Sequence, residues 1–188
     1  MSHPAVVIVP GWRNSGPAHW QSLWSRQLPN VLRVEQDDWV SPLREPWVRR
    51  IAETIEHAAR PVVVVAHSLG CIATSHLPPS VVARIAGALF VAPADPERRG
   101  ALADFAPVPY QRLPYRHILV ASDNDPYCPI RLAGAYARAW GSEFVRLHGA
   151  GHINVDAGFG PWPLGLALLQ SLGADVPRDL AAPNAATA

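Results

Sequence analysis

The sequence contains no lysine. All 16 of its basic residues are arginine, set against 15 acidic ones for a net charge of +1. Without a lysine amine there is no Schiff-base chemistry, no internal pyridoxal anchor and no phosphate-loop lysine. Charge is sparse, at 16% of residues, and no polybasic tract could displace many counterions from a phosphate backbone. The composition therefore argues against nucleic acid as a partner. Two cysteines, Cys71 and Cys128, do not make a secreted disulfide framework. No apolar stretch approaches the roughly 18 residues of a membrane span. No basic segment precedes the short apolar run near Met1, so that run does not read as a signal peptide. No basic amphipathic helix is available to lie on a bilayer either. These absences predict a soluble, cytoplasmic protein that engages neither membrane nor nucleic acid.

What remains is a globular composition, with 49% hydrophobic residues in 188. That length corresponds to about one domain at roughly 150 residues each, expected here over residues 1–172. The Ala- and Pro-rich stretch 173–188 reads as a disordered tail. The apolar runs are short, β-branched and regularly spaced. Val6–Val9, Val31–Glu35, Pro61–Ala66, Ala86–Ala92, Ile118–Ala121 and Phe144–Leu147 read as about six strands. Helix-length segments lie between most of them: Ala18–Leu28, Pro46–Ala59, Leu69–Leu77, Arg131–Trp140 and Pro163–Leu172. Strands that read as continuous apolar runs, alternating with helices, predict a mostly parallel sheet covered on both faces. The stretch Pro93–Pro114 breaks the alternation and is too short for a large lid; it reads as a long loop or a small cap.

In such a sheet ligands bind beyond the carboxyl ends of the strands, and the polar clusters fall there. The sharpest is Ala66-His67-Ser68-Leu69-Gly70, after the run of four valines. It matches the nucleophile elbow G-x-S-x-G with Ala66 in the place of the first glycine. A strand-to-helix turn this tight pushes a hydroxyl out of the sheet, and small residues on either side let strand and helix approach. The competing reading makes Ser68 a simple helix cap.

A nucleophilic serine needs a base, and the base an orienting carboxylate. Asp125 and His152 follow Ser68 in the chain order this architecture uses. His152 sits in the loop Gly149-Ala150-Gly151-His152, with His148 as its competitor. Asp123, and less so Asp95, compete with Asp125. His3, His19, His57, His76 and His117 have no comparable context and read as surface or packing residues, and His67 as pointing away along the turn. Two backbone N–H groups should hold an oxyanion: Leu69, which follows the serine, and Trp12, in the loop after the first strand. His148 and His152 lie on a glycine loop rather than a helix, and no Cys or carboxylate completes a zinc set around them. No G-x-G-x-x-G follows the first strand. No metal and no cofactor is expected.

The combination VVIVPGW at Val6–Trp12, HW at His19–Trp20, EQDDW at Glu35–Trp39, AHSLGC, SDNDPYCP and GAGHIN at Gly149–Asn154 resembles the small α/β-hydrolase serine hydrolases grouped with retinoblastoma-binding protein nine and the YdeN-like bacterial proteins. The resemblance runs from about Val6 to Leu172. It implies a compact fold of about six strands without a large lid domain. It also implies that Ser68, Asp125 and His152 occupy the triad positions. The human member is named for binding a protein, so the resemblance leaves room for a protein partner, which nothing else in the sequence indicates.

The residues thus predict a serine hydrolase of small carboxylic esters, or of amides, working through an acyl-enzyme. The alternative is an interaction module in which catalysis is vestigial. Seven tryptophans are many for this length. Trp12, Trp39, Trp162 and Tyr127 fall near strand ends or the catalytic loops, where aromatic side chains would wall a compact apolar or aromatic substrate. The small cap argues against a long-chain triglyceride.

Overall fold

Alternation along the valine-rich strands builds the architecture. The computed structural model describes residues 3–181. Six strands form one sheet: β1 (Ala5–Val9), β2 (Val31–Arg33), β3 (Val62–His67), β4 (Ile85–Val91), β5 (Arg116–Ser122) and β6 (Glu143–Leu147), in the order β2-β1-β3-β4-β5-β6. Every adjacent pair is parallel. Successive side chains point to opposite faces, so Val7 and Val9 of β1 and Val62 and Val64 of β3 enter one core. Val6, Ile8, Val63 and Val65 enter a second core on the other face. A strand buried on both sides has no use for polar alternation, which is why these runs read as unbroken.

The helices supply the two covers. Trp47, Ile51 and Ile55 of α2 (Arg44–His57), the apolar face of α3 (Leu69–Ser75), and Tyr136, Ala137 and Trp140 of α5 (Ile130–Trp140) close the first core. In these terms α1 is Trp20–Gln27, α4 is Pro79–Val82, α6 is Pro163–Ser171 and α7 is Arg178–Ala181. Trp20 and Trp24 of α1 and Leu166 and Leu169 of α6 close the second core. From β1 the chain steps outward to β2 and then crosses back to β3 on the other side. The loops leaving β1 and β3 therefore diverge and open a crevice at that switch point.

Two departures from the sequence reading, and the form of one segment that it left open, have physical causes. The tail expected from Gly173 instead packs its first part: Ala174 and Val176, two positions apart, both turn onto the second core and are buried there, leading into α7. The rest of that stretch, 182–188, lies outside the described residues. The Pro93–Pro114 segment is a small cap of two 3-10 turns, Pro96–Arg98 and Gly100–Phe105. It is pinned where Leu102 and Phe105 enter the first core and where the Trp140 indole donates to the Pro109 carbonyl at 2.8 Å. Helix α1 starts at Trp20 rather than Ala18, because the His19 ring accepts the Gln21 N–H and caps it.

Candidate active site

Ser68 connects β3 to α3 with φ 55° and ψ −122°. A non-glycine residue held there stores roughly 1–3 kcal/mol and persists only where its surroundings over-determine it. Here the Ser68 N–H donates to the Val91 carbonyl at the end of β4, and the Ser68 carbonyl accepts the Cys71 N–H, each at 3.0 Å. Two glycines make the turn sterically feasible. A Cβ on Gly70 would lie 2.5 Å from the Val9 carbonyl oxygen, and one on Gly11 would lie 2.8 Å from the Ser68 Cβ. Ala66, standing where the elbow pattern usually has glycine, is fully buried in the first core.

Ser68, His152 and Asp125 meet in one line. Ser68 Oγ is 2.9 Å from His152 Nε2, and His152 Nδ1 is 2.9 and 3.0 Å from the two carboxylate oxygens of Asp125. The acceptor-only carboxylate requires the ring proton on Nδ1, which leaves the Nε2 lone pair facing the hydroxyl. Asp125 also accepts the Tyr127 N–H at 2.8 Å. His152 and Asp125 are both buried, so the pair is shielded from competing water.

The loop carrying His152 is stitched to the loop carrying Asp125 residue by residue. Asp123 accepts the Gly149 N–H (2.9 Å), Ser122 Oγ the Ala150 N–H (2.9 Å) and Asn124 the Gly151 N–H (2.7 Å). Asp125 then takes the His152 ring. Beyond the ladder, Ile153 has φ 48°, an outlier for a β-branched residue. The Trp20 indole fixes it there by donating to its carbonyl at 2.8 Å. The His67 ring sits 2.9 Å from the His152 carbonyl through Nε2 and packs at a tilt against the His152 ring, 4.8 Å between centroids. Burial, helped by the neighbouring His152 and His19, holds His67 well below the usual histidine pKa. His67 is thus neutral and donates that bond. Burial first, then Arg33 and His152, bring His19 down to about 4. Neither role for His19 or His67 was foreseen. A histidine directly before the serine and one opening α1 were the available signals; the His67 target lies 85 residues away, whereas the His19 cap is local and a histidine is not one of the usual capping residues.

The competing candidates pair with each other elsewhere. His148 is exposed and its Nδ1 lies 2.7 Å from Asp123. Asp123 is pulled down to about 2, chiefly by the Gly149 N–H and then by His148. Asp95 caps the 3-10 turn Pro96–Arg98 through the Glu97 N–H and lies 3.6 Å from Arg98.

These groups open into a cleft of about 350 Å³ at the carboxyl end of the sheet, lined by Trp12, Arg13, His19, Ser68, Arg99, Tyr127 and His152 among others. The N–H groups of Leu69 and Trp12 have no acceptor among the described residues, and Gly11 runs beside Leu69 N without a side chain between. The Trp12 indole is anchored to the Val40 carbonyl at 2.8 Å. Of the four aromatic residues expected to wall the pocket, Trp12 and Tyr127 line it. Trp39 and Trp162 do not. Trp39 packs edge-on against Trp47 beneath the first core, and Trp162 stacks on Trp24 and touches Trp20 in the second. Cys128 is likewise buried in the first core, its thiol pushed up to about 12 by burial. A larger hollow of about 540 Å³, bordered by Arg112, Tyr115 and Glu143, lies at the opposite ends of β5 and β6 and is lined by no serine, threonine or cysteine. Among the described residues no three His, Cys, Asp or Glu side chains are grouped to hold a metal. No helix there is long and apolar enough to cross a membrane.

A serine hydrolase family model matches residues 6–171. Among solved structures, a protein assigned as a YdeN-like hydrolase from Pectobacterium atrosepticum is 36% identical, covers 91% of each chain and superposes with a TM-score of 0.83. The ydeN gene product of B. subtilis is 21% identical over 90% of this chain and 98% of its own, with a TM-score of 0.77. Est1E from Butyrivibrio proteoclasticus shares the fold at 12% identity over 80% of each chain, with a TM-score of 0.63. No curated protein matches. The elbow, the parallel six-stranded sheet and the family match together lead to one conclusion: the chain is a member of the serine hydrolase family, a hydrolytic enzyme on the α/β-hydrolase fold.

Proposed function

We propose that the protein cleaves small carboxylic esters, and amides of similar size, through an acyl-enzyme formed on Ser68. The observation that carries this reading is the hydrogen-bonded line from Ser68 to His152 to Asp125, opening into a cleft beside two free N–H groups. Ser68 Oγ attacks the carbonyl carbon while its proton passes to His152 Nε2. The oxygen that becomes negative is held by the Leu69 and Trp12 N–H groups. Asp125 keeps the ring in the tautomer that can accept, and stabilises the imidazolium once formed. His152 then gives its proton to the leaving oxygen or nitrogen. In the second half a water loses a proton to His152 and attacks the acyl carbon, and Ser68 is released with its proton restored. The cleft volume suits a compact acyl group, and Trp12 and Tyr127 offer it aromatic walls.

The test is a series of p-nitrophenyl esters, acetate through palmitate, with parent and Ser68→Ala, alongside labelling by a fluorophosphonate. Parent activity should peak at short chains, and Ser68→Ala should lose both labelling and turnover by at least about 10⁴-fold. Equal labelling of the variant, or efficiency climbing steadily to palmitate, would overturn the reading.

A further inference from the structure

Two guanidinium groups border the catalytic cleft, and neither has a carboxylate within salt-bridge distance among the described residues. Arg13 lies 4.4 Å over the Trp12 ring and Arg99 lies 4.4 Å over the Tyr127 ring. Arg33, Arg49, Arg50, Arg98, Arg116 and Arg146 are paired with acidic side chains; among the other described arginines, Arg13 and Arg99 are the two that rest on aromatic rings, and both do so at the cleft. A guanidinium resting on an aromatic face keeps all five N–H donors available at its edges. The platforms themselves are fixed. Trp12 is tied to the Val40 carbonyl, and Tyr127 is tied through its N–H to Asp125 and through its carbonyl to the Asp95 N–H. Arg13 is placed by a tight turn in which Arg13 and Asn14 both have positive φ, 67° and 66°; the Asn14 N–H closes it on the Gly11 carbonyl at 3.1 Å and the Arg13 N–H is held by the Trp39 carbonyl at 2.9 Å.

The acidic groups lining the same cleft are Asp95 and Asp156, with Asp125 buried behind His152. Asp95 is occupied by Arg98 and the Glu97 N–H, and Asp125 by His152. Asp156 alone is exposed and free, so two available cations face one available carboxylate. Arg99 stands one ring away from the imidazole, because Tyr127 packs 4.3 Å from His152. Arg13 adjoins the proposed oxyanion donor Trp12. The two thus flank the point where an acyl carbon would sit.

We propose that the cleft selects esters carrying a second, free carboxylate, such as half-esters of short dicarboxylic acids, with Arg13 and Arg99 as the specificity-determining residues. This rests on the hydrolase reading of the same cleft and names its substrate class. A carboxylate accepts two parallel bonds from a guanidinium, which an uncharged isostere cannot do.

The experiment has two arms. In the first, the mono-p-nitrophenyl ester of glutaric acid is compared with its methyl-capped neutral counterpart. The parent should favour the anion in kcat/KM by about tenfold at low salt, since partly exposed pairs contribute modestly each. The ratio should shrink with added salt. Arg13→Gln and Arg99→Gln should each reduce it about threefold and the double variant abolish it, while Arg138→Gln, on the exposed face of α5, should leave it unchanged. In the second arm, glutarate and glutaramide are titrated into Ser68→Ala by calorimetry, which needs no turnover. Glutarate should bind more tightly, and the preference should vanish when both arginines are replaced. A ratio at or below one, a ratio indifferent to the double substitution, or a preference for α-amino acid esters over the glutarate ester would overturn the inference. Selective glutarate binding without any ester hydrolysis would instead sink the hydrolase reading and leave the anion site standing.

Discussion

Replacing Gly70 by alanine adds a single methyl group at the most crowded point of the elbow. Its Cβ would lie 2.5 Å from the Val9 carbonyl oxygen and 2.8 Å from that of Pro10, where ordinary contact begins at 3.4 Å. Both obstacles are backbone, so no side chain can rotate away. Strand β1 and helix α3 must separate by roughly 0.9 Å at this point. Overpacking of this kind costs about 1–3 kcal/mol. The larger effect is on turnover. Val9 and Pro10 lead directly into Gly11 and Trp12, whereas Leu69 begins α3, so the shift widens the gap between the two proposed oxyanion donors. A misplacement near 1 Å costs about 100-fold in rate. The loss should appear in kcat on a short aryl ester, with a smaller change in KM, and denaturant unfolding should report the stability term. Gly134→Ala is the internal control. It adds the same methyl in α5, where nothing lies within 4 Å, and should stabilise by about 0.5–1 kcal/mol. Gly70→Ala with parent kcat and parent stability would refute the packing argument.

Asp125→Asn should lower kcat by about 10⁴-fold, because an amide can donate to Nδ1 and favour the wrong ring tautomer; His148→Ala, which removes an exposed ring paired with Asp123, should stay within about twofold in the same assay. His19 is kept neutral in the fold with a pKa of about 4, so below about 6.5 the unfolded chain takes up a proton that the folded chain refuses. Its contribution is present above 6.5 and lost as pH falls towards 4, amounting to about 2 kcal/mol between pH 7 and pH 5. His19→Asn retains a side-chain oxygen to cap α1 and removes the titrating ring. Its unfolding free energy should therefore fall less between those pH values than that of the parent, and an identical fall in both would contradict the assignment.

Much of this was legible because it is local. Four β-branched valines in a row, between Pro61 and a turn, read as a strand buried on both faces, and Ala-His-Ser-Leu-Gly directly after it is a turn whose geometry its small residues dictate. Asp125 and His152 could be picked out because the ends of β5 and β6 are polar and glycine-rich in a chain otherwise short of charge. Side-chain direction was not legible. Trp39 follows its strand about as closely as Tyr127 follows β5, and Trp162 follows the catalytic loop of His152, so position alone does not separate them from Trp12 and Tyr127. Trp39 and Trp162 turn inward because α2 and the α1–α6 pair offer them aromatic partners, Trp47 in one case and Trp20 and Trp24 in the other. Ala174 and Val176 were hidden by composition, since two apolar residues among Gly, Asp and Pro make no period. The stitching of Ser122–Asp125 to Gly149–His152 is a matter of register between two loops, and neither loop alone contains it.

That ladder divides the carboxyl edge of the sheet into two halves of unequal freedom. On the side of β5 and β6, each of four successive side chains grips its own partner in the opposite loop. An insertion or deletion in either loop would throw every later pair out of step, leaving no room there for new shapes. Beyond Gly11, which lies against Ser68, the loop after β1 contains no such ladder, and neither does the cap after β4. They are anchored at a few points, and they supply Arg13 and Arg99. A descendant of this protein acquiring a different diet would therefore be rebuilt on that side alone, its proton-handling half carried forward unchanged.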